Sequence, residues 1–122
     1  MDTRTKIVTA AAAPPGCTVV TGYFDVILAQ DARDLAEIRA GAAGRKLLAV
    51  VLPLDGELLP ERARAELAAG LRVVDYVVVK TGQPDLREFL EELRPAEIVR
   101  LEERQAERSR RLKEHVRERQ TR

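Results

Sequence analysis

Three stretches of this chain are apolar with hardly a break: Cys17-Thr18-Val19-Val20-Thr21, Lys46-Leu47-Leu48-Ala49-Val50-Val51-Leu52 and Val73-Val74-Asp75-Tyr76-Val77-Val78-Val79. Polarity does not alternate along them, so both faces of each segment must be covered. That is the demand of a strand in a parallel sheet with helices on its two sides. Gly22, Pro53 and Gly82 bound the three runs, and Ala96-Glu97-Ile98-Val99-Arg100-Leu101 is a weaker fourth.

Helical patterns lie between the runs. Asp31 to Ala40 carries Leu35 and Ile38 at helical spacing, continued by Ala42, and meets Gly41 at an expected C′ position. Pro60 to Ala69 has proline at a first helical position and stops at Gly70. In Pro84 to Leu93, the residues Leu86, Phe89, Leu90 and Leu93 form one apolar face, and Pro95 follows. Glu103 to Gln120 predicts a long charged helix with a narrow stripe through Ala106, Ser109, Leu112, Lys113 and Val116. Residues 5–13 fit a strand or a short helix equally well, and Ala13-Pro14-Pro15-Gly16 then breaks regular structure. Strands alternating with short helices predict βαβ units with right-handed crossovers. The expected fold is α/β, a Rossmann-like three-layer α/β/α sandwich on a parallel sheet ordered 3-2-1-4-5 or a truncated form of it. Residues 1–122 read as a single domain, with 102–122 as a charged C-terminal helix.

Composition narrows the function classes. Of 122 residues 45% are hydrophobic, enough for a core. The 21 Lys and Arg against 20 Asp and Glu leave a net charge of +1. Residues 102–122 hold eight of the cations and five glutamates, about +3, so the body is about −2. Neither this balance nor the 3% aromatic content favours a nucleic-acid partner. No apolar run is long enough to cross a bilayer, and Met1-Asp2-Thr3-Arg4 opens no secretory leader. Single residues of cysteine (Cys17) and histidine (His115) exclude a disulfide framework and any two-histidine device. A cytoplasmic protein without a metal site is expected.

The junction after the first strand is the informative one, because ligands of open parallel sheets bind beyond the carboxyl ends of the strands. Thr21-Gly22-Tyr23-Phe24-Asp25-Val26-Ile27 runs there into Leu28-Ala29-Gln30-Asp31. It resembles the opening signature of the cytidylyltransferase-like nucleotidyltransferases, in particular those acting on glycerol phosphate and heptose phosphate. That signature is Gly-x-Phe-Asp, two apolar residues, then His-x-Gly-His at a helix start. Leu59-Pro60-Glu61-Arg62-Ala63-Arg64, the later Leu71-Arg72-Val73-Val74-Asp75-Tyr76-Val77-Val78, and Leu90-Glu91-Glu92-Leu93-Arg94-Pro95-Ala96-Glu97-Ile98-Val99-Arg100 resemble later family segments in order, so the likeness spans roughly residues 17–101. Arg108-Ser109 echoes the start of the family's Arg-Ser-Thr-Thr loop.

By that resemblance Gly22, Tyr23, Phe24, Asp25, Arg100 and Arg108 would surround a nucleotide, CTP or ATP, with Mg²⁺ only if nucleotide binding is retained. A homodimer is implied in the same way. The departures point the other way. Leu28 and Asp31 stand where the family has its two histidines, and Gln30 replaces the glycine. Leu28 cannot donate a hydrogen bond, and Asp31 repels phosphate. Removing one preorganised donor costs about 10²–10³ in turnover. The family's Lys-Gly turn and its next strand have no counterpart in Leu101-Glu102-Glu103, and Arg110-Arg111 replace the threonines. A domain without transferase turnover and with no catalytic residue is therefore expected. The alternative is an active enzyme that joins CTP or ATP to a sugar or polyol phosphate, releases pyrophosphate, and holds the triphosphate with Lys6, Arg100 and Arg108.

Plainer roles are expected for most of these residues. Asp31 reads as a helix N-cap that accepts from the amides of Arg33 or Asp34. Asp25 reads as a brace of the junction loop or a ligand contact, and Gly22 as a tight strand exit. Cys17 is a small core residue and His115 a solvated one. Arg108, Arg110, Arg111 and Arg117 pair with neighbouring glutamates.

Overall fold

The computed structural model describes residues 2–82 and 84–120, with Gln120 limited to its main chain. Strands β1 (Thr18–Gly22), β2 (Leu47–Val51), β3 (Tyr76–Val79) and β4 (Glu97–Arg100) form one parallel sheet in the order β3-β2-β1-β4. Helices α1 (Ala29–Ala40), α2 (Glu61–Ala69) and α3 (Leu86–Glu92) connect them, and α4 (Glu102–Gln120) follows β4 at once. The order is the truncated form of the expected one. Thr121 and Arg122, counted in the charged C-terminal stretch, lie outside the described residues.

The apolar runs become strands because successive side chains enter different cores. Val20, Leu47, Ala49, Val51 and Val77 point to one face, where Leu35 of α1 and Ala65, Ala68 and Ala69 of α2 cover them. Val19, Leu48, Val50 and Val78 point to the other, under Phe89 and Leu90 of α3 and Leu93 beyond it. Nearly all of these side chains are below 3% exposure. Each fully buried aliphatic side chain contributes about 1.5–3 kcal/mol, so the two layers supply most of the driving force. The residues of α2 in this core are alanines, Ala65, Ala68 and Ala69.

Several local expectations are corrected. Residues 5–13 hold no β-strand, and the short-helix alternative is realised only as 3₁₀ turns: Thr3–Lys6 and Ala10–Ala12 flank a single parallel bridge between Ile7 and Val77. The third strand starts at Tyr76, because Val74 closes a turn onto Leu71 and the Asp75 carboxylate accepts from the Leu47 amide at 2.8 Å. Gly41 and Gly70 keep right-handed conformations, and the chain turns left-handed later, at Ala43 and Gly44. Asp31 sits in the first turn of α1, and Leu28 occupies the N-cap position. The Asp31 carboxylate reaches back to accept from the Leu28 amide at 3.0 Å, so it caps the helix from inside the first turn.

The two sheet edges differ. Residues 7 and 8 lie against β3, where the Val8 amide donates to the Val77 carbonyl at 2.8 Å. β4 pairs only with β1, and three of its four residues are exposed.

Candidate functional site

Strand order reverses between β1 and β4, so the crevice above their carboxyl ends is where a ligand of this fold class would sit. Tyr23 to Leu28 crosses that point and leads into the N-terminus of α1, whose amides and dipole favour an anion. α4 lies across the same place. Gln105 accepts through Oε1 from the Tyr23 amide at 2.6 Å and the Phe24 amide at 3.0 Å. The Ser109 hydroxyl donates to the Asp25 carbonyl at 3.3 Å.

An internal anion already serves the helix N-terminus. Asp31 Oδ2 takes the Leu28 amide, and Asp31 Oδ1 lies 2.6 Å from Arg108 Nη1. The same nitrogen is 2.8 Å from Asp34 Oδ2, and Gln30 donates to Asp34 Oδ1 at 3.0 Å. Burial raises the affinity of the Asp34 carboxyl for a proton. Hydrogen bonds from Gln30 and Arg108, with attraction to Arg108 and Arg104, outweigh it and hold the pKa below the ordinary range. Hydrogen bonds to Asp31 and Asp34 keep the Arg108 guanidinium firmly charged. The expected pairing of Arg108 with a neighbouring glutamate is corrected: its guanidinium reaches the α1 terminus and meets two carboxylates there, Asp31 and Asp34.

The remaining residues of the signature are engaged as follows. Gly22 is a close-approach position, for a Cβ there would lie 2.5 Å from Gln105 Oε1. Phe24 is a core residue at 1% exposure. Asp25 is buried and accepts from the amides of Leu58 and Leu59 at 2.8–3.0 Å, which ties the loop before α2 to the loop after β1. Phe24 and Val26 adopt left-handed φ of 52° and 69°. Such conformations cost on the order of 1–3 kcal/mol each and persist only where neighbours impose them. Gln105, Asp25 and Ser109 are the neighbours that do so.

Tyr23 borders two hollows. One, of about 170 Å³, is formed with Asp25, Asp55, Gly56, Ser109 and Lys113. The other, of about 320 Å³, is formed with Leu52, Lys80, Leu86, Arg100 and Glu102. Arg100 is thus near Tyr23, but its guanidinium lies 2.5 Å from Glu102. Burial pushes the Glu102 carboxyl up, and hydrogen bonds from Thr21, its own amide and Arg100 bring it below the ordinary range. Lys6 donates to the carbonyl of Leu71, ahead of β3 at the amino end of the sheet, far from this crevice.

Sequence reasoning missed four residues that organise the site: Asp34, Arg64, Glu102 and Gln105. Arg64 is 1% exposed and donates to the carbonyls of Leu52 at 2.8 Å and Tyr23 at 3.0 Å, and to Glu57 at 2.9 Å. A signal for it exists, since it shares the buried face of α2 with Ala65, Ala68 and Ala69. Nothing in the charged sequence around Gln105 distinguishes it. Its Nε2 and Arg64 Nε are buried without a hydrogen-bond partner.

Among the described residues, no group of three or more His, Cys, Asp or Glu could hold a metal ion. His115 is exposed on α4, and Cys17 is buried with a thiol pushed up by desolvation. No helix of the described residues is long and apolar enough to cross a membrane. The groups gathered at the crevice can brace a loop and neutralise a helix terminus; they include no imidazole, and their principal cations are already paired. No protein-family model and no curated protein matches the chain, so the likeness to the cytidylyltransferase-like enzymes rests on the sequence segments quoted above.

Proposed function

We propose that this chain is a cytidylyltransferase-like domain that has lost transferase turnover and serves as a binding or interaction module. One observation carries the reading. The N-terminus of α1, which in such an enzyme would meet the triphosphate, is capped by Asp31 and closed by Arg108. A nucleotide phosphate entering there must displace a carboxylate from both a helix amide and a guanidinium, against like-charge repulsion. The absence of a donor at Leu28 removes the group that would stabilise departing pyrophosphate. A cytoplasmic setting is part of the proposal, since the one cysteine is a free, buried thiol.

Calorimetric titration with CTP and with ATP, each with and without Mg²⁺, tests it alongside an assay for pyrophosphate in the presence of glycerol phosphate or a sugar phosphate. No pyrophosphate release is expected. Micromolar nucleotide binding accompanied by release overturns the reading and restores the active enzyme.

A further inference from the structure

At the carboxyl end of the sheet the chain buries one cation and gives it no counter-charge. Lys80, the residue after β3, is 6% exposed. Its Nζ donates to the Gly82 carbonyl and stands 5.7 Å over the centroid of the Phe89 ring. No carboxylate of the described residues pairs with it. Arg64, the other buried cation among them, is treated differently, for Glu57 meets it at 2.9 Å. An ammonium carries three donors, and a buried charge is costly unless it is paired. Lys80 is therefore poised for an anion from outside the chain. We infer that Lys80 and the hollow it lines form a binding site for a small monocarboxylic acid with an apolar body.

The hollow sets the class of ligand. Tyr23, Leu52, Lys80 and Arg100 bring the ends of all four strands to it, and Leu86 of α3 and Glu102 complete the wall. Its volume of about 320 Å³ is at the small end of ligand pockets. Leu52, Leu86 and the adjoining Pro53 offer apolar surface to a hydrocarbon body. Charge decides the head group. Arg100 lies 2.5 Å from Glu102, whose carboxylate also accepts from the Thr21 hydroxyl at 2.6 Å. That pair cancels, and Lys80 leaves the wall with a net charge of +1. One carboxylate balances it and accepts the remaining ammonium protons in charge-assisted hydrogen bonds. A phosphate dianion would bring a second negative charge against Glu102. No residue of α1 lines the hollow, so the inference stands whether or not a nucleotide reaches Asp31 and Arg108.

Amide NMR spectra of the full chain, titrated with hexanoate and with benzoate, test the site. Both acids should give saturable shifts at Tyr23, Lys80 and Leu86. Hexanamide and benzamide, of the same shape without the charge, should bind about tenfold more weakly or worse. Lys80→Met keeps an apolar stem over Phe89 and should lose about tenfold or more in benzoate affinity. It should stay folded by circular dichroism, since the charge it removes has no partner within the chain. Leu86→Trp fills the hollow without altering its charge and should abolish binding. Absence of saturable shifts with both acids overturns the inference. So does benzoate binding that is unchanged in either variant, or equal to that of benzamide. Inorganic phosphate or pyrophosphate binding more tightly than benzoate also overturns it, and makes Lys80 a phosphate ligand instead.

Discussion

Arg108 Nη1 lies 2.6 Å from Asp31 Oδ1, across 77 residues of sequence, and closes the N-terminus of α1 with a charge pair made within the chain. Asp31 is 4% exposed and Arg108 24%. A carboxylate so placed depends on its cation. Breaking a buried pair by removing one partner costs about 3–5 kcal/mol. Arg108 is partly solvated, so Arg108→Met is expected at the lower end, about 3 kcal/mol, read as a fall in the urea midpoint. Adding Asp31→Asn to Arg108→Met should recover part of the loss, because the stranded charge is then gone.

Acid should unfold this chain through the carboxyls that face α4 and β4. The folded pKa values of Asp34 and Glu102 lie below their ordinary values of 3.8 and 4.5. The unfolded chain therefore binds protons first as the pH falls. The stability from these groups is complete above the ordinary values, declines as the pH passes below them, and is lost once the folded pKa values are crossed. Urea midpoints taken from neutral pH down to about 3 should fall, and Glu102→Gln should flatten the part of that slope nearest pH 4.5.

Gly22→Ala should disturb the junction loop through Gln105. The new Cβ would come within 2.5 Å of Oε1 and 2.8 Å of Cδ, so the amide must leave Tyr23 and Phe24. Overpacking of this kind costs about 1–3 kcal/mol. Once Gln105→Ala has removed the amide, Gly22→Ala should cost much less. A double-mutant cycle by chemical denaturation measures the difference, and strict additivity would separate the two residues.

Arg64→Met keeps the length of a buried side chain and removes its charge. It strands the carbonyls of Leu52 and Tyr23, and it frees Glu57. Hydrogen bonds to charged groups are worth about 1.5–3 kcal/mol, so a loss of about 3 kcal/mol is expected. The loops after β1 and β2 should also become the first sites of limited proteolysis, where the unsubstituted chain resists.

Local pattern was enough for the architecture. Unbroken apolar runs such as Leu47–Leu52 specify strands buried on both sides, and the Leu86, Phe89, Leu90 stripe specifies the helix that covers one of those sides. These are properties of neighbouring residues, an unbroken apolar run for each strand and a 3.6-residue period for the helix, that a sequence displays directly. The departure of Leu28 and Asp31 from the two-histidine signature that the chain resembles is equally plain in the sequence. Which residue then answers Asp31 is not, because Arg108, Arg110 and Arg111 are alike in composition and local context, and only one projects toward α1. Gln105 is the same case: its work on Tyr23 and Phe24 exists only because α4 leaves β4 at Glu102 and crosses the sheet end. Contacts made across some eighty residues depend on where whole elements come to rest, and that placement was decided by the packing of the two cores.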